Sequence, residues 1–374
     1  MILTLNAGSS SLKYAVFDAS GKRVLSGLHE RLDGSEAQAA ALGAVIAELR
    51  SLDHLRDLTA VAHRVVHGGE RFRAPTRITP AVEAAIAELA PLAPLHNPVN
   101  LAGIRAAQRV LAEAGQAELP HVAVFDTAFH ATLPEHAYRY PVPEAWYTEH
   151  GVRRYGFHGS SHAFVSAATR RVLAKAGRAH GRMVTLHLGN GCSATAIRDG
   201  VSIDTSMGLT PLAGLMMGTR PGDLDPGITG YLARRGVGLD EQEQQLNRAS
   251  GLRAIAGASD VRELLAEREA GSLPAKRALA MFAYRIRKQV GAYAAALGGL
   301  DALVFTAGIG ENSAAVREEV CAGLGFLGVE LDAQANQQRS DAARFISSGA
   351  TAVLVLPTDE ERYLAEAASG LLRG

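Results

Sequence analysis

Two arginines stand in contexts suited to handling an anion: Arg64 in His63-Arg64-Val65-Val66-His67-Gly68-Gly69 and Arg220 in Gly218-Thr219-Arg220-Pro221-Gly222-Asp223. A guanidinium offers a planar fork of donors that fits carboxylate and phosphate oxygens alike, and it keeps its charge when buried. Composition by itself reads both as ordinary surface arginines. Three glycine-containing segments follow apolar, strand-like runs: Asn6 to Ser11, Gly189 to Ser193 and Ala307 to Asn312. One such turn is as often a tight hairpin as a binding loop. Three of them, with serine hydroxyls among them, give backbone N–H groups the close approach that a polyphosphate needs. The third also opens a helix, whose N-terminus favours phosphate.

No GxxxxGK[ST] string occurs, which excludes a Walker-type site, and Lys13 follows a hairpin instead of starting a helix. Asp126 ends the apolar run His121 to Phe125 and reads either as a turn or cap residue or as a chemical group. His158 is one of 13 histidines, so a plain hydrogen-bonding role is open to it. Cys192 and Cys321 have no metal-ligand spacing, and Cys192 reads as a buried inert thiol.

The elements that must position these residues are strands alternating with helices. Ile2 to Leu5 and Leu12 to Phe17 predict a hairpin around the first turn, and Met183 to Asp199 predicts a second around Gly189. Laid over each other at a constant offset of ~181, Leu5, Gly8, Ala15, Val16 and Asp18 meet Leu186, Gly189, Ala196, Ile197 and Asp199, close to a half-chain repeat. Helices are expected over residues 35–56, 80–90 with Thr79 as N-cap, 99–114, 274–297, 313–321 and 360–372. Strands are expected at 121–125, 302–305 and 351–356, with Gly308-Ile309-Gly310 as a turn. This is an α/β pattern, with ligands at glycine turns beyond the strand ends.

The 374 residues are enough for two domains, and 38 basic residues balance 38 acidic ones. No net field draws the chain to nucleic acid or an anionic membrane. The two cysteines fit a reducing compartment, and neither a signal peptide nor a membrane span is read, which predicts a cytoplasmic protein.

Several longer strings resemble the acetate kinase family of the actin, Hsp70 and sugar kinase superfamily: LNAGSSSLK at 5–13, HRVVHGGE at 63–70, LAPLHNP at 92–98, FDTAFH at 125–130, YGFHGSSH at 155–162, HLGNG at 187–191, DTSMGLTPLAGLMMGTRPGDLDPG at 204–227 and FTAGIGEN at 305–312. The resemblance spans nearly the whole chain. It implies two similar actin-like (ribonuclease H-like) domains around a central cleft, one of residues 1–129 completed by 359–374, the other of residues 130–358. It implies a phosphotransferase with a carboxyl acceptor, moving a phosphoryl group reversibly and in line between ATP and acetate to give acetyl phosphate and ADP. Closure of the domains would exclude water.

The same resemblance implies the roles of individual residues. Arg64, Asp126, His158 and Arg220 would be catalytic, the arginines stabilising charge on the phosphoryl group, Asp126 orienting an arginine or the substrate, and His158 donating to phosphate oxygens. Arg64, Val66, Leu95, Phe157 and Pro211 would hold the carboxylate and its methyl group. Ser10, Lys13, His187, Gly189, Asn190, Gly191, Asp260, Val261, Arg262, Gly308, Ile309, Gly310 and Asn312 would bind nucleotide. Asn6 and Glu360 would hold magnesium, with manganese as a substitute, partly through waters. A homodimer is implied, with no nucleic-acid or membrane partner.

Some positions depart from the family pattern. Thr358-Asp359-Glu360-Glu361 carries Asp359 where the family has asparagine, which leaves open which carboxylate faces the metal. Pro221 replaces a serine and restricts Arg220. Val261 replaces an aromatic residue beside the nucleoside, and GTP or pyrophosphate is the alternative donor. The rival substrates are propionate or other short-chain carboxylates, since one methylene is worth only about 1 to 3 kcal/mol in such a pocket. More distant readings are a sugar or polyol kinase and a non-enzymatic actin-like nucleotide-binding protein.

Overall fold

The computed structural model describes residues 1–8, 11–32 and 34–373. The chain divides into two compact units: residues 1–131, 159–161 and 359–374 make the first, and residues 132–158 and 162–358 the second.

The first unit is built on a six-stranded sheet of β1 (Ile2–Ala7), β2 (Ser11–Phe17), β3 (Arg23–Glu30), β4 (Ala60–Val65), β5 (Thr76–Arg77) and β6 (His121–Phe125), in the order β3-β2-β1-β4-β6-β5. Its central strands β1, β4 and β6 are parallel, and β2, β3 and β5 are antiparallel to their neighbours. Period-two alternation puts Leu3, Leu5, Leu12, Tyr14 and Val16 on one face, against Leu42, Val45, Ile46 and Leu49 of helix Gly34–Ser51 and Ala107 and Leu111 of helix Asn97–Glu113. The opposite face, with Ala62, Val122 and Val124, is covered by Leu364 and Ala368 of the C-terminal helix Glu360–Arg373. Strands apolar on both faces are the expected consequence of helices on both sides of a largely parallel sheet.

In the second unit the strands are β7 (Arg182–Leu188), β8 (Cys192–Arg198), β9 (Val201–Thr205), β10 (Ala302–Thr306), β11 (Arg344–Phe345) and β12 (Ala352–Val355), in the order β11-β12-β10-β7-β8-β9. Read from its other end this is the order of the first sheet, with the same mixture of parallel and antiparallel pairs. The two units therefore share one topology. Helix Leu273–Leu297 is capped by Ser272, whose side chain accepts from Ala275 N–H, and it buries Phe282, Ile286 and Val290. Thr79 likewise caps Pro80–Glu88 through Val82 N–H, as its position before a proline predicts.

Two expectations need correction. The innermost pairing of the first hairpin joins Ala7 to Leu12, but that of the second joins Leu188 to Cys192, so the second loop is one residue shorter. A single offset therefore holds on one strand of the hairpin only, and by register Ala15, which pairs with Thr4, corresponds to Thr195, which pairs with Thr185. The second correction is at Gly308-Ile309-Gly310, which is no turn: β10 runs directly into helix Ala307–Asn312, with Ala307 at φ +64°. A carboxylate stabilises that abrupt start, because Glu311 Oε1 accepts from Ala307 N–H at 2.7 Å and from Thr358 N–H at 3.1 Å.

His63 on β4 and His121 on β6 are buried with ring nitrogens 2.8 Å apart, a contact in which one imidazole donates and the other accepts. Burial pushes His63 well below its usual range, and pushes His121 down to about 4 against a smaller opposing pull from Glu83. Both are held neutral when folded and protonate near 6.5 when unfolded, so their contribution is complete above pH 6.5 and lost as pH falls toward 4. For His121 this is on the order of 3 kcal/mol. Urea unfolding is expected to show about 2 kcal/mol of the His121 loss between pH 7.5 and pH 5, and His121→Asn to reduce the slope of stability against pH. Equal slopes in the two proteins would contradict the assignment.

Candidate active site

In the first unit the site begins where β4 and β6 lie side by side. Arg64 leaves β4 and Asp126 follows β6, with Asp126 N–H bound to Val65 C=O at 3.0 Å, so parallel pairing brings the two side chains together. Arg64 Nε donates to Asp126 Oδ1 at 2.9 Å and Nη2 to Oδ2 at 2.5 Å, a bidentate fork on a carboxylate that is only 1% exposed. Burial alone would lower the affinity of Arg64 for its proton, but the charge and hydrogen bonds of Asp126 outweigh it and raise the value. Arg64 is thus a fixed cation, and both oxygens of Asp126 are engaged in holding it. Its Nη1 also donates to Asn6 Oδ1 at 3.3 Å.

The three acidic residues that open the C-terminal helix have separate surroundings. Asp359 pairs with Arg23 at 2.5 Å and Arg362 at 3.3 Å and accepts from Arg362 N–H at 3.1 Å, while Glu361 pairs with Lys13 at 2.7 Å. Glu360 has neither an ion pair nor a side-chain hydrogen bond among the described residues, and burial raises its pKa, with Arg64 opposing and Asp126 and Glu361 reinforcing. A half-buried carboxylate left in that state is able to hold a cation, and the Asn6 amide oxygen is a second hard oxygen donor of the same unit. The extra carboxylate of Asp359 is neutralised by arginines instead. No group of three or more His, Cys, Asp or Glu side chains suited to a metal occurs among the described residues, and a magnesium ion that keeps waters and nucleotide oxygens does not need one.

The second unit carries the other arginine. Arg220 is partly buried and forms no ion pair among the described residues; its Nη1 donates to Pro211 C=O at 2.9 Å. Burial lowers its pKa, with a smaller opposing pull from Cys192. At Gly191 an added Cβ would meet Arg220 Nη2 at 2.7 Å and His158 Nε2 at 3.5 Å, so two nitrogen groups come within a few ångströms of one point on the turn after β7. Only glycine leaves that space open. His158 adopts φ +57° just before helix Gly159–Lys175, and its ring stacks on His187 with centroids 4.2 Å apart. Cys192 is fully buried, its thiol pushed up to about 12 chiefly by burial and donating to Gly189 C=O, which makes it inert.

A cavity of about 860 Å³ lies in the second unit, lined by Gly189, Asn190, Asp260, Val261, Arg262, Gly308, Ile309 and Asn312, all expected as nucleotide contacts. Asp260 caps helix Val261–Glu269 through Arg262 N–H at 2.8 Å, and its carboxyl is lowered to about 2, first by the Arg262 guanidinium. Val261 is buried at 4% exposure, so it serves as wall packing where an aromatic face was the family pattern. His187, Gly191 and Gly310 are outside that lining, and Lys13 lies in the first unit. Ser10 lies outside the described residues.

The apolar set is divided between the units. Val66 is buried and Leu95 exposed in the first, while Phe157 is buried in the second, where Pro211 supplies the carbonyl that holds Arg220. Sequence reasoning missed Glu311 and Arg317. Arg317 is 1% exposed and donates to Gly310 C=O at 2.9 Å, Glu311 C=O at 3.0 Å and Asn336 Oδ1 at 2.7 Å, closing the end of helix Ala307–Asn312 beside the cavity. Its pKa is lowered to about 10, first by burial and then by Arg344. In the sequence it is one more arginine on a helix; only its buried position marks it.

The chain matches the Acetokinase family over residues 33–366. It is 50% identical to an acetate kinase of Arthrobacter sp. (strain FB24) over 387 aligned positions, covering 100% of this chain and 99% of that one. Among solved structures it superimposes on an acetate kinase of Porphyromonas gingivalis with a TM-score of 0.90 at 40% identity, covering 99% of each chain. It also superimposes on a propionate kinase of Francisella tularensis subsp. tularensis SCHU S4 with a TM-score of 0.90 at 38% identity, covering 98% of each. A match of this extent, joined to a doubled sheet topology and two arginine-centred residue sets, establishes that the chain is a kinase belonging to the acetokinase family.

Proposed function

We propose that the protein is an acetate kinase that transfers a phosphoryl group reversibly between ATP and acetate, giving acetyl phosphate and ADP. The observation that carries the proposal is the convergence of Arg220 Nη2 and His158 Nε2 over Gly191, next to two residues of the cavity wall, Gly189 and Asn190. Positive charge and N–H donors at a backbone turn are what a transferring phosphoryl group requires, since its catalysis is positioning and electrostatics. Arg64, held by Asp126, would supply a fork for carboxylate and phosphoryl oxygens, and Val66, Leu95, Phe157 and Pro211 are the proposed contacts of the methyl group. Acetate is already ionised at neutral pH and needs no base. Asp126 has both oxygens engaged by Arg64, which disfavours the sugar kinase reading, where an aspartate must accept a hydroxyl proton.

Glu360 and Asn6 would hold magnesium, or manganese in its place, and the ion when bound neutralises the nucleotide phosphates. The cavity residues Gly189, Asn190, Asp260, Val261, Arg262, Gly308, Ile309 and Asn312 would hold ATP, and Lys13, His187, Gly191 and Gly310 are the further contacts of this proposal. A propionate preference is the second reading, favoured by the similarity to the propionate kinase of Francisella tularensis. Two buried free cysteines and a chain in which no described helix is long and apolar enough to cross a membrane support a cytoplasmic location.

We propose that the chain acts as a homodimer. Leu224 and Ile228 are exposed at the wall of an apolar cavity of about 440 Å³ in the second unit, Tyr231 is exposed three residues further along the chain, and exposed apolar side chains of this kind favour a protein partner. Light scattering is expected to give twice the chain mass, and a monomer at micromolar concentration would refute the dimer.

Hydroxylamine trapping tests the reaction. With ATP and magnesium, acetate is expected to give the most hydroxamate, propionate less and butyrate least, and chelation is expected to abolish it. No hydroxamate from any acid with ATP, GTP or pyrophosphate would end the acyl kinase proposal. A higher kcat/KM for propionate would move the assignment to the second reading.

A further inference from the structure

His158 does not stand alone beside Gly191. Its Nδ1 lies 2.9 Å from Ser193 Oγ, Ser193 Oγ lies 2.7 Å from His162 Nε2, and His162 Nδ1 lies 2.7 Å from Thr185 Oγ1. The local fold explains the alignment. His158 and His162 are four residues apart at the start of one helix, which places them on one face, and Thr185 and Ser193 come from the paired strands β7 and β8. Thr185, Ser193 and His162 are all fully buried.

We infer that Thr185, His162 and Ser193 form a one-way hydrogen-bond chain that fixes the proton of neutral His158 on Nε2, making them positioning residues for the phosphate donor. This deepens the acyl kinase reading and rests on it for its purpose. A hydroxyl has one proton to donate, and His162 Nδ1 is the partner given for Thr185 Oγ1. If Thr185 accepted from His162, its own proton would be buried without an acceptor, a penalty of about 1 to 3 kcal/mol. Thr185 therefore donates to His162 Nδ1, which puts the His162 proton on Nε2. That N–H donates to Ser193, and Ser193 in turn donates its single proton to His158 Nδ1. His158 then carries its proton on Nε2, the atom that would lie 3.5 Å from a Cβ added at Gly191, beside Arg220 Nη2. The reverse polarity would present a lone pair to an anion there.

The test reads the protonation directly. In the full-length enzyme without substrates, nitrogen-15 spectra of His158, assigned through His158→Gln, are expected to show a protonated Nε2 and an unprotonated Nδ1. Thr185→Val keeps the shape of the blind end and removes its donor, so the His158 tautomers are expected to mix. Ser193→Ala is expected to lower kcat about tenfold, the scale of one lost supporting hydrogen bond, with KM for ATP little changed, and Ser193→Thr to restore it. A wild-type spectrum with the proton on Nδ1, or one unmoved by both Thr185→Val and Ser193→Ala, would overturn the inference. Because the spectra need no turnover, an intact signature in a chain that makes no acyl phosphate would count against the functional reading alone.

Discussion

A cationic side chain kept partly out of water without a carboxylate beside it is costly, and Arg220 is in that position. Its described partner is a peptide carbonyl, that of Pro211, and burial works against its charge. Such a group persists only where the surrounding backbone over-determines its place. Met217 N–H donates to Arg220 C=O at 3.0 Å, and Gly214 N–H donates to the Asp223 side chain at 2.7 Å, so the loop that carries the arginine is tied at both ends. The backbone at Gly191, which Arg220 Nη2 approaches because no Cβ stands in the way, lies beside a positive charge that no carboxylate among the described residues pairs with. An anion arriving there relieves a cost that the fold already carries, which is the arrangement electrostatic catalysis requires.

Arg64 presents the opposite solution. Its charge is balanced by Asp126, which fixes the direction of the fork and removes the aspartate from service as a base. The balance also sharpens the cation side of the account. Lys13, Arg23 and Arg362 neutralise Glu361 and Asp359, and Glu360 is left without an ion pair among the described residues. One arginine is thus a rigid positioning group and the other a source of net charge. Identical residue types acquire different work from the carboxylates placed, or not placed, around them.

Much of this was legible in the sequence. Alternating apolar residues gave both hairpins, Thr79 before Pro80 marked a real N-cap, and eight cavity-wall residues were named from strings alone. What failed depended on side-chain contacts that no motif string spells out. Gly308-Ile309-Gly310 looks like a turn, yet Glu311 accepts at the helix start and Arg317 closes its end, and no local pattern reports either interaction. The neutralisation of Asp359 was equally hidden, because its partner Arg23 lies 336 residues away. The chain of hydroxyls behind His158 joins a helix start to two strands and could not be seen in the spacing of any single motif.

If Arg220 contributes charge to the reacting group more than affinity for the resting substrates, its removal must lower turnover more than it weakens binding. Steady-state kinetics of Arg220→Ala with acetate and ATP test it most directly. The account predicts that kcat falls by about 10² to 10³ while KM for acetate changes only a few-fold, because the lost interaction matters most in the transition state. An enzyme with kcat intact, or one that lost only acetate affinity, would contradict it.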